Sequence, residues 1–296
     1  MPPCPTPLGR DQSHPLLSSF PAFLLVAIHN LLYYRGLYPR TTFLSTRAYN
    51  LPVHQSRHPA VCAWIRSAVD AITSQLARGA VARVAVVMHA PSSSSRAVLE
   101  RWVFDTTSFP AWPASGIREP ARVMAGFGRM QAKEARGEEG EERHGIDFFP
   151  AEAAEGVEQP PGTCAGRVSW PDVDEQLRGA LRRMAHAAEG MRGLPEGCSF
   201  TVAVEMREEG EGPIGHPQAW IPSEPNLQPV SSTREMAGED VGGVRTTPIR
   251  SVQAGPLFFE CWLEEARAKF TGEDGNGNEE MEISGNSGFG LTLDPE

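Results

Sequence analysis

Residues 20–38 constrain the fold more than any other part of the chain. Ser18 and Ser19 offer an N-cap, Pro21 suits a first helical turn, and Pro39 closes the segment. Between them Phe23, Leu24, Val26, Ile28, Leu31, Leu32, Tyr34 and Leu37 fall on nearly every face of a helix. A helix that is apolar all round has no side to turn to water, so other elements must surround it. The longest apolar run, 20–32, contains His29 and Asn30 and is shorter than the ~20 residues of a membrane span. The expectation is the central helix of a water-soluble core.

The remaining periodic segments supply what surrounds it. A second helix starts near His58-Pro59, with Val61, Trp64, Ile65, Ala68, Val69, Ile72 and Leu76 on one stripe and Gly79 at its end. Residues 81–89 (VARVAVVMH) read as a strand buried on both faces. After a polar turn at 91–95, residues 98–105 pair back with Val98, Trp102 and Phe104 on one face. Ser169 heads a third helix through Val173, Leu177, Ala180, Leu181, Met184, Ala188 and Met191. Residues 198–206 alternate, with Phe200, Val202, Val204 and Met206 facing one way, and residues 257–263 (LFFECWL) form a last strand. This order predicts an α+β fold, helices packed on a mostly antiparallel sheet.

Between these segments the composition shifts. The 26 prolines and 29 glycines are too many for a chain ordered throughout, so the expectation is a body of roughly 200 residues, a usual domain size, plus flexible stretches. Residues 1–17 and 266–296 are expected to be disordered, and 106–168 to be an acidic low-complexity insertion (AKEARGEEGEERH at 132–144, QPPG at 159–162). Residues 207–247 form a Pro-rich polar excursion. The net charge of −10 lacks the basic stripe of a nucleic-acid binder. Five scattered cysteines without a CxxC pair give neither a zinc site nor a disulfide framework. The N-terminal residues lack a secretory signal pattern, so a cytosolic or nuclear location is expected.

Signatures of catalysis are sparse. There is no Gly-rich phosphate loop, HExxH or GxSxG, and no cofactor or metal is expected. Asp274, Asn276 and Asn278 faintly resemble the opening of a calcium loop, but Glu279 stands where that loop needs Gly. His29, inside the apolar helix, reads as a core histidine. A hydrolase using His58 or His54 would require one of them beside a Ser or Cys nucleophile in a cleft. A protein-binding adaptor, not an enzyme, is the expectation.

Three blocks carry a family resemblance: FLLVAIHNLLYYRGLYPRTTF with RAYNLPVHQSRHPAVCAWI, then VARVAVVMH with VLERWVFD, and LPEGCSFTVAVEMRE, followed by TTPIRSVQAGPLFFECWLEE. Together they resemble the HORMA-domain family, with a domain over residues 18–265. YYRGLYP and LERWVFD also look like the spindle-checkpoint branch, whereas YNLPVHQSRHP and PEGCSFTV favour the accessory-subunit branch of translesion DNA polymerase zeta. The alternative within the family is a spindle-checkpoint or meiotic-axis adaptor.

The resemblance implies a mobile C-terminal segment, the safety belt, at 207–250, closing over a Pro-containing peptide of the polymerase catalytic subunit. It implies peptide contact by Trp64, Trp220, Phe200 and Val202. Docking of the scaffold translesion polymerase would use Thr246, Glu260 and Trp262, with Glu260 and Trp262 on one strand face opposite Phe259 and Cys261. Arg178 would serve HORMA–HORMA pairing, an AAA-type ATPase would remodel the belt, and the location would be the nucleus.

Overall fold

In the computed structural model the apolar N-terminal stretch becomes helix α1 (Arg10–Tyr34). The structure describes residues 10–91, 97–110, 168–207, 220–223, 244–254, 256–266, 269 and 290–293. The 132–144 charge run and the calcium-like stretch at 274–279 lie outside them.

Helix α1 begins well before the expected cap. Pro15 and Pro21 both lie inside it, and the Ser19 hydroxyl donates to the Leu16 carbonyl at 2.7 Å instead of capping the chain. Leu16 and Leu17 are buried, so the expectation of disorder over 1–17 fails at its C-terminal end: apolar burial extends the helix past its prolines. The apolar part, Pro15–Tyr34, is 20 residues long, enough to cross a membrane by length and composition. It is 83% buried inside the fold across its most apolar window, which makes it the core helix expected. It stops at Tyr34, before the expected end, because Gly36 takes φ +67°. Leu37 N–H bonds back to Leu32 O at 3.1 Å and Gly36 N–H to Tyr33 O at 3.2 Å, a Schellman end that only a left-handed residue permits.

A hairpin that the periodicity did not reveal follows: β1 (Phe43–Ala48) and β2 (Leu51–Ser56). Tyr49 and Asn50 turn it with φ of 51° and 56°, the two positive angles of a type I′ turn. Helix α2 (Pro59–Ala77) has Pro59 in its first turn, as expected. Strands β3 (Val81–His89) and β4 (Val98–Asp105) form the predicted antiparallel hairpin, with Val86 opposite Trp102. Helix α3 (Trp170–Gly190) follows Ser169, and β5 (Ser199–Met206) pairs antiparallel with the other side of β3, Val202 opposite Val86.

The C-terminal part adds more strands than the sequence suggested: β6 (Ile221–Ser223), β7 (Val244–Ala254), β8 (Leu257–Ala266) and β9 (Gly290–Leu293). The seven-stranded sheet runs β6-β9-β5-β3-β4-β8-β7. Each outermost strand contains a proline, Pro222 in β6 and Pro248 in β7, where no ladder N–H is required of it. Residues Lys269 and 290–293 thus depart from the disorder expected of 266–296. Helix α1 lies on this sheet: Phe20 meets Phe259 edge-on with ring centres 5.2 Å apart, and Phe23 meets Phe104 edge-on at 5.9 Å.

Candidate functional site

The side of the sheet beyond β5 is where the sequence-derived residues converge. Phe200 and Val202 alternate inward on β5 and are buried against the helix layer. Trp64 comes from α2 and meets Phe200 edge-on, with ring centres 5.4 Å apart at 80°. It is half-buried, because the stripe of α2 turns Ile65, Ala68 and Val69 inward and leaves Trp64 at the rim. Trp220 is buried, 9% exposed, in the same apolar cluster and leads directly into β6. Trp220 is thus not an exposed loop aromatic.

What fills the space between β5 and β6 is the chain's own C-terminal strand. β9 is antiparallel to β5, with Ala203 opposite Thr292 and Val204 opposite Leu291. It is also antiparallel to β6, with Ile221 opposite Thr292. Ile221 and Ala203 are thus level across one intervening strand. Main-chain donors and acceptors on both sides of that strand are met by neighbours, which is how an extended peptide is held.

The segment 207–250 begins on one side of this slot and ends on the far side of the sheet. Arg207 fastens its start: its N–H bonds Ala80 O at 2.8 Å and its guanidinium reaches Thr107 O at 2.8 Å. The chain then contributes β6 at one edge and β7 at the other. Those edges are six strand spacings apart, roughly 29 Å at ~4.8 Å each. Residues 224–243, fully extended, reach roughly 66 Å. The connection is long enough to cross.

Arg250, the last residue of the segment, lies over α3, where its Nη2 donates to Gln176 Oε1 at 2.7 Å. A Cβ at Gly179 would meet the Arg250 Cζ at 2.9 Å, so glycine is what lets the guanidinium lie on the helix.

The second predicted group also comes together. Across β7 and β8, Thr246 opposes Glu264, Pro248 opposes Trp262, and Ser251 opposes Glu260. Thr246 and Glu260 are exposed and Trp262 is half-buried, all on the outer face. Phe259 and Cys261 point inward, and burial raises the Cys261 thiol to about 12. Trp262 Nε1 donates to Glu264 at 2.8 Å, and the Arg83 guanidinium lies 5.9 Å from its ring. Arg83 also pairs with Asp105 at 2.9 Å and Glu205 at 3.1 Å. Burial alone raises the Asp105 carboxyl, but bonds from Thr107 and Arg83 outweigh it and hold it below the usual range.

Arg178 stands apart from both groups, ion-paired to Glu175 one turn earlier on α3. The histidines take structural positions. His54 stacks on Tyr33 with ring centres 3.5 Å apart, and burial followed by Arg40 lowers its pKa. His58 is exposed at the start of α2. The nearby Cys62 thiol donates to Ser56 O, and the Ser56 hydroxyl accepts the His58 amide. His29 is buried and accepts the Ser56 N–H on Nδ1 at 3.4 Å. Burial, then Arg66, lowers its pKa to about 4, so it is the neutral core histidine expected.

One constellation escaped the sequence reading. Glu100, fully buried on β4, accepts Arg35 Nε at 2.9 Å and Arg35 Nη2 at 2.7 Å. Lys269 lies 2.7 Å from Glu100 and 2.5 Å from Glu265. Arg35 also caps α3 through the carbonyls of Ala188 at 2.9 Å and Arg192 at 2.6 Å. The signal was present: Glu100 lies in the inward register of β4, between Val98 and Trp102, where a charge demands a buried partner.

A sheet in which the C-terminal strand is inserted between β5 and a short strand from an earlier segment defines a strand-clasping fold. The HORMA domain model matches residues 20–246, and the chain belongs to the HORMA-domain family. The DNA polymerase zeta processivity subunit of Schizosaccharomyces pombe is 28% identical over 255 residues, covering 86% of this chain and 93% of that protein. The mitotic spindle assembly checkpoint protein MAD2B of Danio rerio is 32% identical over 253 residues, 83% and 89% of the two chains. Among solved structures, a chain of the mitotic checkpoint complex superposes with a TM-score of 0.53 at 15% identity, over 84% of this chain and 98% of that one. At that identity the likeness establishes the fold alone.

Proposed function

We propose that this protein is the non-catalytic adaptor subunit of a DNA polymerase zeta in translesion synthesis. It holds an extended, proline-containing segment of the catalytic subunit along the outer edge of β5, between β5 and β6. The observation that carries the reading is the slot itself: a strand position bounded by β5 and β6, with Trp64, Phe200, Val202 and Trp220 on the flanking elements. Similarity to the fission-yeast processivity subunit across most of both chains supports the choice of client.

Main-chain pairing supplies affinity that is indifferent to sequence, and the aromatic walls select the side chains. A segment paired on both sides leaves only after two ladders open, so release is slow. The outer face of β7–β8, with Thr246, Glu260 and Trp262, is the second contact in this reading and receives the scaffold translesion polymerase. Arg178 serves pairing with a second HORMA domain, an AAA-type ATPase reopens the belt, and the site of action is the nucleus.

The test is peptide capture. Trp220→Ala lowers affinity for the catalytic-subunit segment at least tenfold, about 1.4 kcal/mol or more, while circular dichroism stays native. Unchanged affinity refutes the slot assignment. Tight binding of a checkpoint-type motif, with none for the polymerase segment, refutes the choice of client.

A further inference from the structure

We propose that Gln75 is a specificity-determining residue of the peptide site, one that selects an uncharged hydrogen-bonding side chain, a carboxamide or a hydroxyl, on the guest strand. The inference rests on the reading of the position beyond β5 as the peptide site and adds to it what the guest must carry.

The placement follows from the geometry of α2. Trp64, Ala71 and Gln75 are seven and eleven residues apart from the first, and at roughly 100° per residue they fall within ~20° of one line along the helix. The two flanks of α2 face different neighbours. On one flank the Cys62 thiol donates to Ser56 O of β2, toward the β1–β2 hairpin. On the other, Trp64 meets Phe200 of β5. Gln75 lies on the Trp64 flank, from which the sheet continues past β5. Its level along β5 is fixed by the chain. Gln75 O accepts the Ala80 N–H at 3.1 Å, and Ala80 O accepts the Arg207 N–H at 2.8 Å just beyond the end of β5. Trp64 therefore stands at the start of β5 and Gln75 at its end, with only the small side chains of Ala68 and Ala71 between them on this flank.

The chemistry follows from burial. Gln75 is 4% exposed, and its Oε1 has no hydrogen-bond partner among the described residues. Beside a tryptophan and two alanines, a leucine would fill the same volume with no polar atom to satisfy. A buried carboxamide oxygen without a donor favours a guest that brings one and disfavours a guest that lays an alkyl group against it. An uncharged donor suits it better than a lysine or arginine, because the stripe offers no carboxylate to a buried cation. The spacing also acts as a ruler. Eleven helical residues span ~16.5 Å, the length of about five strand residues. Guest side chains on one face recur every second residue, so the one at Gln75 stands about four to six positions from the one at Trp64. In a guest antiparallel to β5, the direction that β9 takes, it is the N-terminal of the two.

Fluorescence anisotropy with the full chain tests this, using overlapping synthetic peptides that tile the polymerase zeta catalytic subunit of the same organism. In the captured peptide each residue is replaced in turn by Asn and by Leu. The wild type is expected to favour Asn over Leu at least fivefold at one position, about four to six residues from the position most sensitive to Trp64→Ala. Gln75→Leu reverses the preference at that position and leaves the others within about twofold of the wild type. Gln75→Met is expected to do the same and replaces it if the Leu variant does not fold. A Gln75→Leu chain that binds every peptide more weakly by one common factor, or no position at which the preference changes, overturns the proposal. If Trp220→Ala still costs tenfold while no position answers to Gln75, the specificity proposal falls and the clasp stands. If Trp220→Ala costs nothing, or the full chain captures no peptide, the peptide-site reading falls and the role of Gln75 with it.

Discussion

The two flanks of the sheet are built differently. Beyond β4 the chain lays down β8 and β7, of 10 and 11 residues, paired from Val244–Ala266 to Ala254–Leu257. Beyond β5 it lays down β9 and β6, of four and three residues. The long flank is pinned by buried charges at Glu100 and Lys269 and by Arg250 on α3. The short flank is joined to the core by the pairing of β9 with β5. Strand length and buried ion pairing set which part of a sheet stays in place and which part exchanges at ambient temperature.

The comparison breaks most readily at Glu100. Glu100→Gln leaves Arg35 buried without its carboxylate and Lys269 with Glu265 alone, and costs about 3–5 kcal/mol in chemical denaturation. A loss under 1 kcal/mol would mean that the long flank is held by its ladder alone.

Next in size is a pH effect common to both flanks. The pKa of His29 is depressed to about 4 in the folded chain, against 6.5 unfolded. Its neutral form is therefore favoured on folding, and full stability is present above pH 6.5. Stability falls between 6.5 and about 4, by about 3 kcal/mol in all. His29→Gln flattens that part of the stability curve, and the flanks are best compared above pH 6.5. An identical curve for wild type and variant would contradict the assignment.

Gly179→Ala swings the Arg250 guanidinium off α3 and away from Gln176, a loss that the helix propensity of Ala offsets, so stability changes by no more than about 1 kcal/mol. The smallest effect belongs to the short flank, where Thr292→Pro changes global stability by less than about 1 kcal/mol. A larger loss would show that both flanks are structural.

The same contrast marks what could be read in the sequence. α2, α3, β4, β5 and β8 were legible because each carries a periodic apolar pattern that its core face dictates, and α1 and β3 because each is apolar on nearly every side. The β1–β2 hairpin was not, since Tyr49 occupies a left-handed position usually given to Gly, Asn or Asp. β7 was hidden by Pro248 and by the register shift between Pro248 and Arg250. β6 and β9 were too short to stand out as strands, and among the described residues β6 pairs only with β9. Trp64, Phe200 and Val202 were legible as apolar positions, but their adjacency depends on α2 crossing β5. The Arg35–Glu100–Lys269 cluster draws on residues far apart in the chain, and only the inward register of Glu100 hinted at it.

The prolines at the two outermost strands carry a consequence for assembly. An open sheet normally templates further strands at its margins, and that is a route to fibrils. Pro222 at one margin and Pro248 at the other withhold an amide each, so growth by outward addition is discouraged on both sides. In the proposed reading a foreign strand therefore enters not at a margin but at the one interior position that β9 holds between β5 and β6, which sets one guest per chain.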